Sequence, residues 1–235
     1  MNNANSKEVS FILLAGGVGK RMRQDCPKQF LMLAGKPIIM HTLDRIDMIP
    51  TIGEVIIVCP EEHREHIENL RLHFGLRRNF IFAPAGATRQ ESVFNGLRSA
   101  SRECIVIHEA ARPFVKKEEF EALIEASDEN VIYASPINYT VLQARDGAVV
   151  GNLKRSELIN VQLPHKYSRE RLLSAHIKAA EENLAFTEDA GLLFTCAPQT
   201  RIRTLAGTPY NLKITENIDL LLGEIIYREF FAERR

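Results

Sequence analysis

The chain has 235 residues, of which 45% are hydrophobic and 26% are charged, so it is long enough to bury the core of one α/β domain. Lys plus Arg and Asp plus Glu each number 30, so no overall field would draw the protein to nucleic acid or to an anionic membrane. Any anion site is therefore expected to be local.

The cysteines and the N-terminal segment favour a reduced, cytoplasmic protein. The four cysteines are far apart, include no CxxC pair and have no His at metal-ligand spacing, which predicts reduced thiols. Residues 1–10 are polar and contain no apolar signal core, and no later stretch approaches the ~20 apolar residues of a membrane span. We expect a cytoplasmic protein that binds neither nucleic acid nor membrane.

In chain order, short apolar runs alternate with amphipathic segments of helix length. The predicted strands are Phe11–Leu14, Val55–Cys59, Phe80–Phe82, Cys104–Ile107 and Val131–Ala134. The predicted helices between them are Ile38–Asp47, Glu62–Phe74, Arg89–Ala100 and Lys117–Ala126. This alternation predicts an α/β fold with a doubly wound, mostly parallel sheet, in which ligands bind at the carboxyl ends of the strands.

The regularity changes after Pro136. Val141–Leu153 alternates weakly around Asp146-Gly147, a dipeptide that favours a tight hairpin turn. We expect a β-hairpin arm, over about 138–160, that projects from a single domain spanning 1–235. The elements predicted after the arm are a helix over about 168–183, a strand near 200–205 and a helix over about 216–231.

The first predicted strand leads into a glycine-rich turn with the sequence Leu14-Ala15-Gly16-Gly17-Val18-Gly19-Lys20-Arg21. Glycines let backbone N–H groups approach phosphate oxygens, and nearby cations neutralise the charge. The pattern is neither a Walker A loop nor GxGxxG. Soon after it, the proline-stiffened Cys26-Pro27-Lys28 loop adds a lysine that suits a triphosphate. A phosphate cradle is the favoured interpretation, and an ordinary strand-to-helix turn is the alternative.

Four segments together resemble one enzyme family. The run from Ala15 to Lys36 resembles the opening of the 2-C-methyl-D-erythritol 4-phosphate cytidylyltransferases and of the closely related ribitol-5-phosphate cytidylyltransferases. Further matches, in the family's order, are Gly86–Val93, Ile107–Pro113, and Asn211–Thr215 with Asp219. The resemblance extends from about Val9 to Tyr227 and implies a Rossmann-like nucleotidyltransferase fold.

The resemblance implies that CMP is transferred from CTP to a small polyol phosphate with Mg²⁺ or another divalent cation. Arg21, Lys28 and Lys213 would surround the α-phosphate as catalytic cations. The implied nucleotide-binding residues are Leu14, Ala15, Gly16, Gly17, Gly19, Gly86, Arg89 and Ser92. Considered alone, Arg89 could be a surface charge, and Ser92 could cap a helix.

The resemblance also implies an acceptor site shared between two copies of the chain. Its implied residues are Glu109, Arg112, Thr140, Arg155 and Thr187, and Glu109 could also bind the metal. Arg155 would reach into the neighbouring subunit's site in a homodimer with exchanged arms. Arg112 could equally be a structural ion-pair partner, Arg155 could be solvent-exposed, and His108 is more typical of a core position.

Departures from the family pattern concentrate on the acceptor side. Glu109 and Glu188 stand where the family usually has Asp, Tyr139 and Gln143 replace its Asp and Lys, and 161–165 replaces Gln-Thr-Pro-Gln. On the nucleotide side, Ala85 and Ala87 replace Gly and Asp. The leading hypothesis is methylerythritol phosphate cytidylyl transfer for isoprenoid synthesis. The runner-up is ribitol-5-phosphate or another polyol phosphate for a cell-surface polymer, and the third is a catalytically weak nucleotide-binding protein.

Overall fold

The computed structural model describes residues 8–17 and 26–232. The strands are β1 (Val9–Leu14), β2 (Met32–Leu33), β3 (Lys36–Pro37), β4 (Ile52–Cys59), β5 (Phe80–Pro84), β6 (Cys104–Glu109), β7 (Val131–Pro136), β8 (Leu142–Arg145), β9 (Ala148–Asn152), β10 (Ile159–Ser168) and β11 (Arg203–Ala206). The α-helices are α1 (Ile38–Asp47), α2 (Arg64–His73), α3 (Arg89–Ser99), α4 (Lys117–Glu125), α5 (Arg169–Glu181), α6 (Asp189–Cys196) and α7 (Asn217–Phe230). Over these ranges, no helix combines the length and apolarity needed to cross a membrane.

A seven-stranded sheet organises the fold, in the order β11-β7-β10-β6-β1-β4-β5. The β11–β7, β6–β1, β1–β4 and β4–β5 pairs are parallel, whereas β10 runs antiparallel to both β6 and β7. The predicted mostly parallel sheet is therefore confirmed. Because the parallel strands share one direction, their carboxyl ends form a single edge where a ligand site can assemble.

Helices cover both faces of this sheet because successive strand residues point to opposite sides. In β1, Phe11 and Leu13 belong to a core cluster that includes residues of α1, α2 and α4. Ile12 belongs to a second cluster, which includes residues of α3, α5 and α6. This double burial explains the nearly continuous apolar runs in the sequence.

Helix caps fix the loops that precede two of the helices. Thr88 caps α3, where its Oγ1 accepts a hydrogen bond from the Glu91 N–H over 3.1 Å. At the start of α7, the Asp219 carboxylate accepts hydrogen bonds from the N–H groups of Thr215 and Glu216 over 2.8 and 2.9 Å. The segments before both helices are thereby held at the carboxyl edge of the sheet.

The arm is a separate two-stranded sheet formed by β8 and β9. Asp146 and Gly147 at its tip have φ values of 50° and 78°, the pair of positive angles that favours Asp-Gly in a two-residue hairpin turn. Every β8 side chain is exposed. The predicted hairpin is therefore confirmed, and its own chain leaves it uncovered.

The sequence-based prediction missed β10 and α6. β10 crosses the middle of the sheet with buried polar residues, including Gln162, His165 and Lys166, so it lacks the continuous apolar pattern of the other central strands. Lys166 donates from Nζ to the carbonyl oxygen of Ile124 over 3.2 Å, near the end of α4. Only such tertiary hydrogen bonds make these polar residues tolerable inside the sheet.

Candidate active site

A pocket of about 310 Å³ lies at the carboxyl edge of the sheet. Its lining residues are Leu14, Ala15, Gly16, Gly17, Lys28, Gln29, Gly86, Ala87, Thr88, Arg89, Ser92, Glu109, Ala110, Ala111 and Lys213. The structure thus brings together most residues assigned from the sequence to the nucleotide and to catalysis. Gly19 and Arg21 lie outside the described residues, so their assignments remain predictions.

The glycine turn after β1 packs closely against the segment after β5. A Cβ atom on Gly16 would lie 2.7 Å from the Ala85 Cβ, so no larger residue fits without a backbone shift. The Ala15 N–H donates to the Val58 carbonyl over 2.8 Å and extends the sheet by one hydrogen bond. This packing holds the turn at the pocket.

Lys28 begins a 3-10 turn and reaches the loop before α7. Its Nζ donates to the carbonyl oxygen of Ile214 over 3.2 Å, one residue beyond Lys213. The neighbouring Gln29 is buried and donates from Nε2 to the Ala15 carbonyl over 2.8 Å. Sequence reasoning did not assign Gln29, although it lies in the Cys26–Phe30 run; it ties the lysine loop to the glycine turn.

The segment between β5 and α3 is held by its own side chains. Ser92 Oγ accepts from the Gly86 N–H over 3.0 Å and donates to the Thr88 carbonyl over 2.9 Å. Glu91 accepts from the Ala87 N–H over 2.7 Å. Thr88, and not Ser92, is the helix cap, so Ser92 acts on the pocket by orienting Gly86.

Glu109, the last residue of β6, is surrounded by three cations. Lys213 Nζ lies 2.6 Å and Arg112 Nε 3.6 Å from its Oε2, and Arg89 Nε lies 3.1 Å from its Oε1. Burial acts to raise the pKa of the Glu109 carboxyl, but Lys213, Arg89 and Arg112 outweigh it and lower that pKa to about 2. Glu109 is therefore charged and holds Lys213 at the pocket.

Arg112 and His108 form the wall behind Glu109. Arg112 donates from Nη1 to the Asn211 carbonyl over 3.2 Å, so it joins the end of β6 to the loop that carries Lys213. His108 is fully buried, with Nε2 2.9 Å from the Arg112 carbonyl, and burial lowers its pKa to about 3. His108 is therefore a neutral core residue, as its sequence context favours.

A second acidic group meets Arg89 from the start of α6. Arg89 Nη2 lies 2.8 Å from Asp189 Oδ2 and 3.3 Å from Glu188 Oε1. Burial acts to raise the pKa of Asp189, but the charge of Arg89 holds that pKa below its usual range. Thr187, directly before this pair, is exposed.

Within the described ranges, only His165, Glu188 and Asp189 form a His/Cys/Asp/Glu group close enough to share a metal ion. Arg89 already donates to both carboxylates of this group. We assign no metal there because a guanidinium occupies the position of the cation.

The arm residues assigned to the acceptor do not line this pocket. Thr140 and Arg155 are exposed, and Arg155 donates from Nη1 to the Asn138 carbonyl over 3.0 Å. Arg155 instead lines a wider cavity of about 1020 Å³ at the base of the arm, beside β11. Within one chain, the structure therefore separates these residues from Glu109.

Comparison with known proteins gives a consistent result. Residues 9–229 match the model of a family described as 2-C-methyl-D-erythritol 4-phosphate cytidylyltransferase. The protein of that name from Halalkalibacterium halodurans is 35% identical over 231 residues, which cover 97% of this chain and 100% of that protein.

Two solved structures share the fold. The 4-diphosphocytidyl-2C-methyl-D-erythritol synthase of Anaerococcus prevotii superposes with a TM-score of 0.83 at 23% identity, covering 95% of this chain and 99% of that one. The 2-C-methyl-D-erythritol 4-phosphate cytidylyltransferase of Thermus thermophilus gives a TM-score of 0.74 at 26% identity, covering 92% of this chain and 98% of that one.

Proposed function

The chain belongs to the 2-C-methyl-D-erythritol 4-phosphate cytidylyltransferase family, and on that premise we propose that it transfers CMP from CTP to 2-C-methyl-D-erythritol 4-phosphate in isoprenoid precursor synthesis. It is a CTP-dependent nucleotidyltransferase. The observation that supports nucleotidyl transfer is the pocket, where Lys28 and Lys213, far apart in the sequence, lie with the glycine turn and Glu109. The acceptor assignment rests on the family.

The reaction is an in-line substitution at the α-phosphorus of CTP. An oxygen of the acceptor's phosphate forms a new bond to this phosphorus, and the bond to the oxygen bridging the α- and β-phosphates breaks. Pyrophosphate leaves with that electron pair. No general base is needed because the acceptor phosphate is already ionised, so the protein acts by positioning the reactants and stabilising developing charge.

The two lysines supply the stabilising charge at the pocket. Lys28 is held beside Ile214 and Lys213 beside Glu109, so neither ammonium group must be recruited from solvent when CTP binds. Lys213 would exchange part of its contact with Glu109 for the α-phosphate. Arg89 and Arg112 would keep the Glu109 carboxylate compensated during this exchange.

The segment after β5 suits recognition of cytosine. The N–H groups of Gly86 and Ala87 are bound by Ser92 and Glu91, so this backbone offers the base carbonyl acceptors rather than donors. Carbonyl oxygens can accept from the 4-amino group of cytosine, whereas uracil presents an acceptor at the same position. Recognition through backbone atoms is also compatible with Ala85 and Ala87 in place of the family's usual residues.

We propose that Mg²⁺ or another divalent cation binds together with the triphosphate. Mg²⁺ is commonly held by one or two carboxylates together with substrate phosphates, and Glu109 is the one carboxylate among the described residues that line the pocket. The triphosphate oxygens would be the cation's main ligands, and Glu109 would join them by giving up part of its contact with Arg89, Lys213 or Arg112. The cation would neutralise phosphate charge there.

The acceptor side would be completed by a second copy of the chain. The arm exposes apolar side chains and forms a two-stranded sheet separate from the seven-stranded sheet. A two-stranded ribbon is marginal in water alone, and a symmetric partner would cover it. We assign Arg155 to the partner's acceptor phosphate, where its planar fork of donors suits a phosphate. The other residues assigned to the acceptor are Glu109, Arg112, Thr140 and Thr187.

A substrate panel tests the reaction. The purified protein is incubated with CTP, Mg²⁺ and one of the methylerythritol, ribitol, glycerol or sugar phosphates, and pyrophosphate release is measured. The highest kcat/KM is expected with 2-C-methyl-D-erythritol 4-phosphate, and CTP should be preferred over UTP. A higher kcat/KM with another polyol phosphate would overturn the acceptor, and equal use of both nucleotides would overturn the base assignment.

A further inference from the structure

Arg89 lies between the two halves of the site. It is the first residue of α3, next to the segment assigned to cytosine, yet its guanidinium contacts carboxylates on two other elements. Nε faces Glu109 at the end of β6, while Nη2 faces Glu188 and Asp189 at the start of α6. Nε and Nη2, two of the three guanidinium nitrogen atoms, are therefore committed to carboxylates, which leaves Nη1 for any contact with a nucleotide.

The carboxylates of α6 form a fixed anchor for this guanidinium. The Asp189 side chain is only 2% exposed, and His176 Nε2 lies 3.7 Å from its Oδ1. His165 Nδ1 lies 3.2 Å from Glu188 Oε1. Leu192 and Leu193 pack α6 into the core, so the anchoring carboxylates keep a fixed position. Asp189 and Glu188, which do not line the pocket, therefore fix the position of the Arg89 guanidinium.

The charge balance around Glu109 depends on Arg89. Three carboxylates surround Arg89, and Arg112 and Lys213 add two further cations beside Glu109, so the cluster balances three negative against three positive charges. Without Arg89, Glu109 would share this poorly solvated region with two uncompensated carboxylates and would be repelled by them. Lys213, which is held by Glu109, would then lose its fixed position.

We propose that Arg89, anchored by Asp189 and Glu188, is a positioning residue that fixes Glu109 and Lys213 for the acceptor reaction, and that it is not a nucleotide ligand. The sequence assigned no role to Asp189 or Glu188. It assigned Arg89 to nucleotide binding, and this proposal assigns Arg89 to positioning instead. The inference rests on the proposed function, because the acceptor step defines what Arg89 positions.

Arg89→Lys provides the main test. The lysine keeps the charge, but its single ammonium group cannot bridge Glu109 and the α6 carboxylates as a planar fork does. We expect kcat/KM for 2-C-methyl-D-erythritol 4-phosphate to fall about tenfold or more, with a raised acceptor KM, because displacements near 1 Å impair positioned catalysis. The Kd of CTP with Mg²⁺, measured by calorimetry without acceptor, should change by less than about threefold, because Arg89 itself makes no contact with the nucleotide and Lys213 stays in the pocket with its charge.

Asp189→Asn tests the anchor without touching a residue that lines the pocket. It removes one charge at nearly constant volume, so we expect the same rise in acceptor KM in a weaker form. Asp128→Asn is the matched control, because Asp128 Oδ2 also lies 2.8 Å from an arginine nitrogen, that of Arg203 at the opposite edge of the sheet. It should leave both kinetic constants unchanged. Circular dichroism and thermal unfolding report whether each variant is folded.

The outcomes separate this inference from the proposed function. If wild-type protein releases no pyrophosphate with CTP and the acceptor, the proposed function is wrong. If wild-type protein is active but Arg89→Lys weakens CTP binding as much as it lowers acceptor kcat/KM, Arg89 is a nucleotide ligand and the inference is wrong. It is equally wrong if Asp189→Asn lowers only the melting temperature and leaves the acceptor KM unchanged.

Discussion

The wall of the pocket around Glu109 and the arm around Arg155 differ in how completely one chain determines them. Glu109 has three cations within 3.6 Å and is buried under the sheet edge. Arg155 is exposed and donates one hydrogen bond, to a carbonyl within its own arm. The first region is organised within one chain, whereas the second is left exposed by that chain.

The arm also exposes several apolar side chains. Tyr139 is 84% and Val149 66% exposed, and Leu142, Val150 and Leu153 are also exposed. Clustered apolar surface on a two-stranded ribbon is typical of an interface. We therefore expect nucleotide binding to require one chain and acceptor binding to require a dimer.

The largest effect is expected at the pocket lysines. Lys28→Ala and Lys213→Ala should each lower kcat by ~10²-fold or more with the fold intact, the loss typical of one preorganised transition-state donor. Steady-state pyrophosphate release measures this. Lys117→Ala is the control, because Lys117 pairs with Glu121 on α4 away from the pocket. Near-normal turnover in either pocket variant would remove that lysine from catalysis.

Mixing two inactive proteins tests the crossing of the arm. When Arg155→Ala and Lys28→Ala subunits exchange, one site of each mixed dimer carries both lesions and the other carries neither. Random exchange should restore about a quarter of wild-type activity, since half of the dimers are mixed and each has one intact site. Failure to regain activity, with exchange confirmed by native mass spectrometry, would show that Arg155 serves its own subunit or no site.

Polar substitutions in the arm should weaken dimerisation without changing the affinity for CTP. We expect Leu142→Ser combined with Val149→Ser to weaken dimerisation about tenfold or more, because dimerisation of this variant buries less apolar surface. Analytical ultracentrifugation measures the dissociation constant. CTP affinity should stay at the wild-type value, and a parallel loss of CTP binding would contradict the division between the two regions.

A smaller effect is expected at His41, a buried residue of α1 outside both regions. Burial lowers the pKa of His41 from 6.5 to about 4, so between these pH values the unfolded chain binds a proton that the folded chain does not. Stability should therefore fall as pH decreases through this window, by about 1.4 kcal/mol per pH unit from this residue.

Urea unfolding at several pH values measures this contribution. His41→Gln should flatten the pH dependence by that amount, since glutamine does not titrate and its amide can still donate to the Leu33 carbonyl that His41 Nε2 approaches at 2.9 Å. Val149→Ser on the arm should leave the slope unchanged. An unaltered slope in His41→Gln would show that this imidazole is protonated in the folded state.

The pocket residues show how much of the site the sequence could predict. Lys28 and Lys213 were assigned from their motifs, and the structure brings both to one pocket. Gln29 was not assigned although it lies in the matching Ala15–Lys36 run, and Asp189 was not assigned although it follows Glu188 directly. Their importance depends on a hydrogen bond to Ala15 and an ion pair to Arg89, partners that are distant in sequence. No local pattern encodes such a pairing.

The sequence by itself determined the strands and helices in which buried positions recur at a regular spacing. The apolar strands, the amphipathic helices and the Asp146-Gly147 turn follow from backbone preference and from periodicity, which neighbouring residues set. Only the tertiary structure decided that β10 enters the sheet with His165 and Lys166 buried, and that Arg89 turns from the nucleotide segment toward α6. Buried polar groups require partners, and those partners are brought within reach only by the folded chain.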